Sequence, residues 1–217
     1  MASPDLPSLI RAELSGHAWG AIYLRYIAAA AVFFCTIVLT QNMGAQLDPT
    51  ALWAIAGTLI VTNILYSVHL SRAAQESGRA SPQAAAGSVA LQTATDLFLL
   101  TMLLHFSGGV SNPLMALYAG PIVLSGFLLS RRATYALAFL ALLLYGGMAV
   151  LEYRQVIPHI PVPGLFPPAL YRSESYLAVV LVSLGIVVGM AAVVSLMVSG
   201  RLGLGSVPTQ VGEDRPA

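Results

Sequence analysis

Polar and apolar residues fall into long blocks along this chain rather than into the short alternation of strands or the one-sided stripe of a surface helix. Six blocks are almost wholly apolar: Trp19–Thr40, Ala51–Leu70, Ala85–Phe106, Leu114–Ser130, Ala133–Leu151 and Tyr176–Ser199. A helix crosses the roughly 30 Å hydrocarbon core of a bilayer in about 20 apolar residues. Lipid offers a backbone no hydrogen-bond partners, so each block must be helical. The pattern predicts an all-α membrane protein with six transmembrane helices, the fourth shorter than the rest. It divides the chain into an N-terminal segment over 1–18, a membrane domain over 19–199 with a proline-rich loop over 152–175, and a tail over 200–217.

The arginines orient these spans. Arg11 and Arg25 flank the start of the first, Arg72 and Arg79 separate the second and third, Arg131 and Arg132 the fourth and fifth, and Arg201 and Arg215 follow the sixth. Only Arg154 and Arg172 fall on the opposite side, accompanied by Glu152 and Glu174. The excess of positive charge on cytoplasmic loops places both termini inside. Arg25, within the first turns of its span, is expected to snorkel back to the interface. Asp5 and Glu13 precede the first block, which is too long for the apolar region of a signal peptide. The loop over 152–175 contains Pro158, Pro161, Pro163, Pro167 and Pro168, which forbid a continuous helix and favour extended backbone lying along the headgroups.

Composition agrees. Hydrophobic residues make up 57% of the 217 and charged residues 9%, against about 25% charged in a soluble domain. All ten cations are arginine, and a net charge of +1 gives no reason to expect nucleic acid. The single cysteine, Cys35, sits in an apolar run and cannot form an internal disulfide. No His/Cys spacing fits a metal site, so no metal is expected. A small transporter is disfavoured by the lack of inverted-repeat symmetry and of paired carboxylates in the spans.

One stretch breaks the apolar rhythm: Ser107-Gly-Gly-Val-Ser-Asn-Pro113. Gly108 and Gly109 permit positive φ and close approach. Asn112-Pro113 suits a turn, with proline opening the fourth span. A tight helical hairpin accounts for these residues. So does a ligand site, because amides freed between Gly108 and Ser111, with the Asn112 side chain, would offer donors at the membrane edge to a carbonyl-bearing, lipid-soluble molecule. Asp96 lies mid-span, where a charged carboxylate costs on the order of 3 kcal/mol, and should face the bundle interior with Gln92 one turn away. His105, nine residues on, points to the other side and neighbours Thr101 and the glycine turn. Tyr118 follows the turn, and Pro121 is expected to kink the fourth helix. Asn63, Tyr66 and Ser67 form a polar stripe read as interhelical glue, while Gly185 and Gly189 form a GxxxG pattern for close helix packing, within the bundle or against a partner.

The run "QTATDLFLLTMLLHFSGGVSNPLMALYAGPIVLSGFLL" and the opening "YLRYIAAAAVFF" resemble the membrane sensor of redox-responsive histidine kinases of photosynthetic and related bacteria. That family has six spans with both ends inside, an aspartate in the third span and a Gly-Gly-x-x-Asn-Pro-Phe signature associated with ubiquinone. Asp96 matches the aspartate, and Gly108, Gly109, Asn112 and Pro113 match the signature, whereas Leu114 replaces the phenylalanine and removes a ring able to stack on a quinone. The resemblance implies a ubiquinone or menaquinone site involving these residues, His105 and Tyr118. The family's phospho-acceptor helix, redox cysteine and ATP-binding domain have no counterpart here, so no enzymatic activity is expected. The acidic, proline-containing end reads as a natural terminus. The expected role is an accessory subunit, in contact with lipids and other membrane subunits of a quinone-using photosynthetic or respiratory complex. The alternative is a stand-alone quinone sensor signalling to a separate kinase.

Overall fold

A computed structural model describes residues 6–42, 47–75, 82–163, 167 and 169–201. Seven α-helices account for most of them: α1 (Leu6–Ile37), α2 (Pro49–Gln75), α3 (Pro82–Phe106), α4 (Ala119–Leu128), α5 (Arg131–Ala141), α6 (Gly147–Tyr153) and α7 (Glu174–Arg201). No strand occurs among the described residues. Two π-turns lengthen helices: Val38–Asn42 extends α1, and Leu142–Gly146 joins α5 to α6 so that one span runs from Arg131 to Tyr153.

Among the described residues, five helices are long and apolar enough to cross a membrane. The sixth span is the 3₁₀ segment Pro113–Tyr118 followed directly by α4. Its tighter winding rises about 2.0 Å per residue. The 16 residues of Pro113–Leu128 therefore reach roughly 27 Å rather than the 24 Å of an α-helix. That explains how so short a block spans. Pro121, expected to kink a helix interior, falls in the first turn of α4, directly after the 3₁₀ segment. Other boundaries also shift. The first helix begins at Leu6 rather than near Trp19, and Glu152 is helical, at the end of α6, rather than in the loop.

The chain packs as two parts. The main apolar core draws on α3, α4, α5, α6, α7 and the α3–α4 turn, with Leu97, Leu104, Tyr118, Ile122, Ala141, Tyr145, Leu184 and Val188 all within 1% of full burial. The helices α1 and α2 pack chiefly on each other and lie against one side of this core. Leu47, Leu52 and Val162 form a small second cluster, backed by Leu39, Leu103 and Phe106. It joins the α1–α2 hairpin to the segment after α6, so residues 47–48, 107–112 and 154–163 share one end of the bundle. Arg131 and Arg132 stand at the other. Around this frame, Tyr23, Ile27, Phe34, Leu65, Phe139, Ile186 and Met197 turn outward, as lipid-facing residues of a membrane bundle do.

Candidate functional site

The α3–α4 turn lies at the loop end and is itself buried. Ser107 is bonded back to α3, its amide donating to the Leu104 carbonyl at 3.2 Å and its hydroxyl to that of Leu103 at 2.7 Å. Gly108 (φ 123°) and Gly109 (φ 56°) then take conformations that side chains rarely adopt. A single 3₁₀ turn over Gly109–Ser111 closes with Ser111 N–H to Gly108 O at 3.1 Å and Asn112 N–H to Gly109 O at 3.0 Å. The Asn112 carboxamide finishes the job. Its Oδ1 accepts from Leu114 N–H at 2.9 Å, and its Nδ2 donates to the Ser107 carbonyl at 3.0 Å.

Glu152 seals this turn from below. Its side chain is fully buried, and three donors converge on the carboxylate: His105 Nδ1 at 2.7 Å, His159 Nδ1 at 2.8 Å and Val110 N–H at 3.0 Å. The carboxylate sits so close to Gly109 that a Cβ there would collide with it. Glycine is thus required at position 109 twice, for its backbone angle and for its missing side chain. Tyr145, in the π-turn, is buried with its hydroxyl 3.4 Å from the Gly109 carbonyl, and Tyr176 at the start of α7 donates to the Val110 carbonyl at 3.4 Å. His159 stacks on Tyr171, ring centroids 4.1 Å apart. One carboxylate therefore ties together the end of α3, the turn, the end of α6 and the following loop. A buried charge is tolerated only when it is paired and hydrogen-bonded in this way.

The sequence missed Glu152 and left the turn open to two accounts, a tight hairpin or a ligand site built on freed amides; the donors from Val110 to Asn112 are already bonded. The Val110 amide is held by Glu152, those of Ser111 and Asn112 close the 3₁₀ turn, and the Asn112 side chain caps the following segment. His105, read as a neighbour of Thr101 and the glycine turn, bonds to Glu152, which lies against that turn. Tyr118 is fully buried, its hydroxyl bonded to that of Thr101 and its ring edge-on to Tyr145 at 5.6 Å. Pro113 opens the 3₁₀ segment as expected. Ser111, not singled out from sequence, is 4% exposed, and its hydroxyl has no hydrogen-bond partner among the described residues.

Asp96 belongs to a second polar group, away from the turn. Arg25 reaches into the bundle instead of snorkelling out: its guanidinium grips Asp96 through Nε at 2.9 Å and Nη2 at 2.7 Å, and Nη1 donates to Gln92 at 3.0 Å. The same guanidinium lies 5.5 Å from the Tyr66 ring centroid, and Tyr66 bonds to Thr95 at 3.1 Å. A forked, bidentate pair with a cation–π contact is the arrangement arginine forms best. It fixes α1 and α2 to α3, which is why α1 turns this residue inward. Asp96 and Gln92 do share a face, as expected, but the partner they share is Arg25. Gly185 and Gly189 meet nothing within 4 Å of a Cβ and lie on the outer face of α7. Close packing occurs instead where α4 meets α7, since a Cβ at Gly126 would strike the Ser195 hydroxyl and Ser199 Oγ donates to the Gly126 carbonyl at 2.6 Å.

Six apolar helical spans, with a buried polar turn at one end, define a multi-pass integral membrane domain of the sensor type. The chain belongs to the PilS-like transmembrane domain family, whose sequence model matches residues 11–184. This bears out the expectation of a membrane sensor domain of the histidine-kinase kind. No curated protein and no solved structure matches the chain.

Proposed function

We propose that this chain is a non-catalytic input module, inserted with both termini inside, whose stimulus acts on the turn held by Glu152. The observation that carries this reading is the convergence of His105, His159 and the Val110 amide on one fully buried carboxylate. Whatever displaces the loop at His159 or the turn at Val110 must disturb that carboxylate, and with it the ends of α3 and α6. The helix α3, and α6 through the π-turn and α5, run on to the arginine end, so a disturbance at one membrane face has a route to the other. The readout partner is a separate kinase.

For the stimulus we propose a quinone, ubiquinone or menaquinone. Of the residues first assigned to it, Asn112 and Asp96 are already bonded, as are the amides of Val110 and Ser111. The Ser111 hydroxyl fits better. A buried hydroxyl without a partner costs about 1–3 kcal/mol, a cost that a quinone carbonyl accepting from it would remove. Leu114 and Leu117, about half exposed beside the turn, would receive the ring and tail. A quinone supplies redox chemistry when bound; the protein's part is to donate one hydrogen bond and exclude water. The test is titration of the purified full chain with a short-chain ubiquinone and with menadione, measuring ligand depletion. Ser111→Ala should weaken binding about fivefold, the loss of one hydrogen bond. Undetectable binding, or equal binding by the variant, removes the quinone assignment.

The unpacked Gly185–Gly189 face of α7 supports a second reading, an accessory subunit seated against another membrane chain. Isolation of the native assembly with no second membrane protein attached would remove it.

A further inference from the structure

At the end opposite the Glu152 turn, a groove of about 470 Å³ opens between α5 and α7, lined by Arg131, Tyr135, Val193, Leu196, Met197 and Gly200. Its two halves differ in chemistry. Arg131 opens α5 directly after the Ser130 cap and lies across the end of α7, where a Cβ on Gly200 would come within 3.8 Å of its guanidinium. Neither Arg131 nor its neighbour Arg132 forms an ion pair with an acid among the described residues. Further in, the lining is Tyr135 and the side chains of Val193, Leu196 and Met197. Val193 lies seven residues before Gly200, so the apolar part extends roughly 10 Å into the membrane from the charged mouth.

We propose that this groove binds one anionic phospholipid. Arg131, with no acid partner among the described residues, takes the phosphate at the membrane surface, aided by the positive end of the α5 dipole, and an acyl chain lies along Tyr135, Val193 and Met197. Free phosphate would satisfy the mouth but leave the apolar length uncovered. A zwitterionic lipid would fill the length but bring a cationic group to an arginine. Only a lipid with net negative charge suits both halves. Its occupation would brace α5 against α7, the two helices that frame the groove.

Native mass spectrometry of the full chain, released from micelles carrying phosphatidylglycerol or phosphatidylcholine in equal amounts, tests this. We expect one phosphatidylglycerol retained with about fivefold preference over phosphatidylcholine, the size of one arginine's attraction for an anionic headgroup. Arg131→Ala should abolish the preference, and Val193→Trp, filling the apolar half, should remove the retained lipid. Arg132→Ala, outside the lining, should change neither. Glycerol phosphate at millimolar concentration should fail to displace the lipid. Equal retention of the two lipids overturns the proposal, as does equal loss from Arg131→Ala and Arg132→Ala, which would indicate diffuse surface charge. Displacement by glycerol phosphate would reassign the site to a free phosphate and overturn the lipid. Unchanged melting temperatures of the three variants separate these outcomes from misfolding.

Discussion

The Glu152 cluster and the Arg25–Asp96 pair are both ionisable groups buried in a membrane bundle, yet they fasten it differently. Glu152 is fully buried, collects donors from three segments, and sits within the core formed by α3 to α7. Asp96 keeps about a fifth of its side chain exposed, has a single cationic partner, and joins the core to a hairpin that contributes nothing to the main apolar cluster. Removing one partner of a fully buried, fully bonded charge leaves the others stranded in low dielectric. Removing Asp96 from its pair leaves a long arginine near the end of its span, able to turn back to the interface. The first should therefore govern the integrity of the core and the second only the attachment of α1 and α2.

The largest effect should come from Glu152→Ala, which strands two imidazoles and a backbone amide. We expect a loss of about 3–5 kcal/mol, the range for breaking a buried pair, seen as a large fall in the melting temperature of the detergent-solubilised chain. Gly109→Ala comes next. It forces a Cβ into the carboxylate at a left-handed φ, and should cost about 2 kcal/mol while leaving α1–α2 attached. Asp96→Asn keeps an acceptor for the guanidinium and should cost about 1.5 kcal/mol, the weight of a hydrogen bond to a charged group, but its effect should be localised. Disulfide trapping between cysteines placed in α1 and α3 should slow, whereas trapping between α4 and α7 should not. Equal slowing of both would erase the distinction between the two regions. Gly185→Ala is the smallest, within about 0.5 kcal/mol, because no neighbour lies within 4 Å of the added methyl.

The spans were legible because length and apolarity are local properties, counted directly along the chain. The fourth was harder, since a sequence does not announce that Pro113–Tyr118 winds as a 3₁₀ helix and so reaches further. The turn was placed correctly from Gly108, Gly109 and Pro113. Its chemistry was not, because the group that uses its Val110 amide lies 42 residues later in the chain. Glu152 looked like a loop residue beside Arg154, and only an acid at a span end, on the same membrane side as a Gly-Gly turn and two histidines, hinted otherwise. Arg25 was misread for a similar reason. Near a span end, snorkelling outward and reaching inward are both open to an arginine, and the choice depends on Asp96, 71 residues away. Both errors concern pairs distant in sequence, which periodicity does not encode.

Hydrogen exchange at the Val110 amide bears most directly on whether Glu152 holds the turn. Measured by NMR on the full chain in micelles, that amide should be protected in the native protein. In Glu152→Ala it should exchange at least tenfold faster, while amides in the middle of α7 keep their native rates. Protection of Val110 that survives the substitution unchanged would contradict the account.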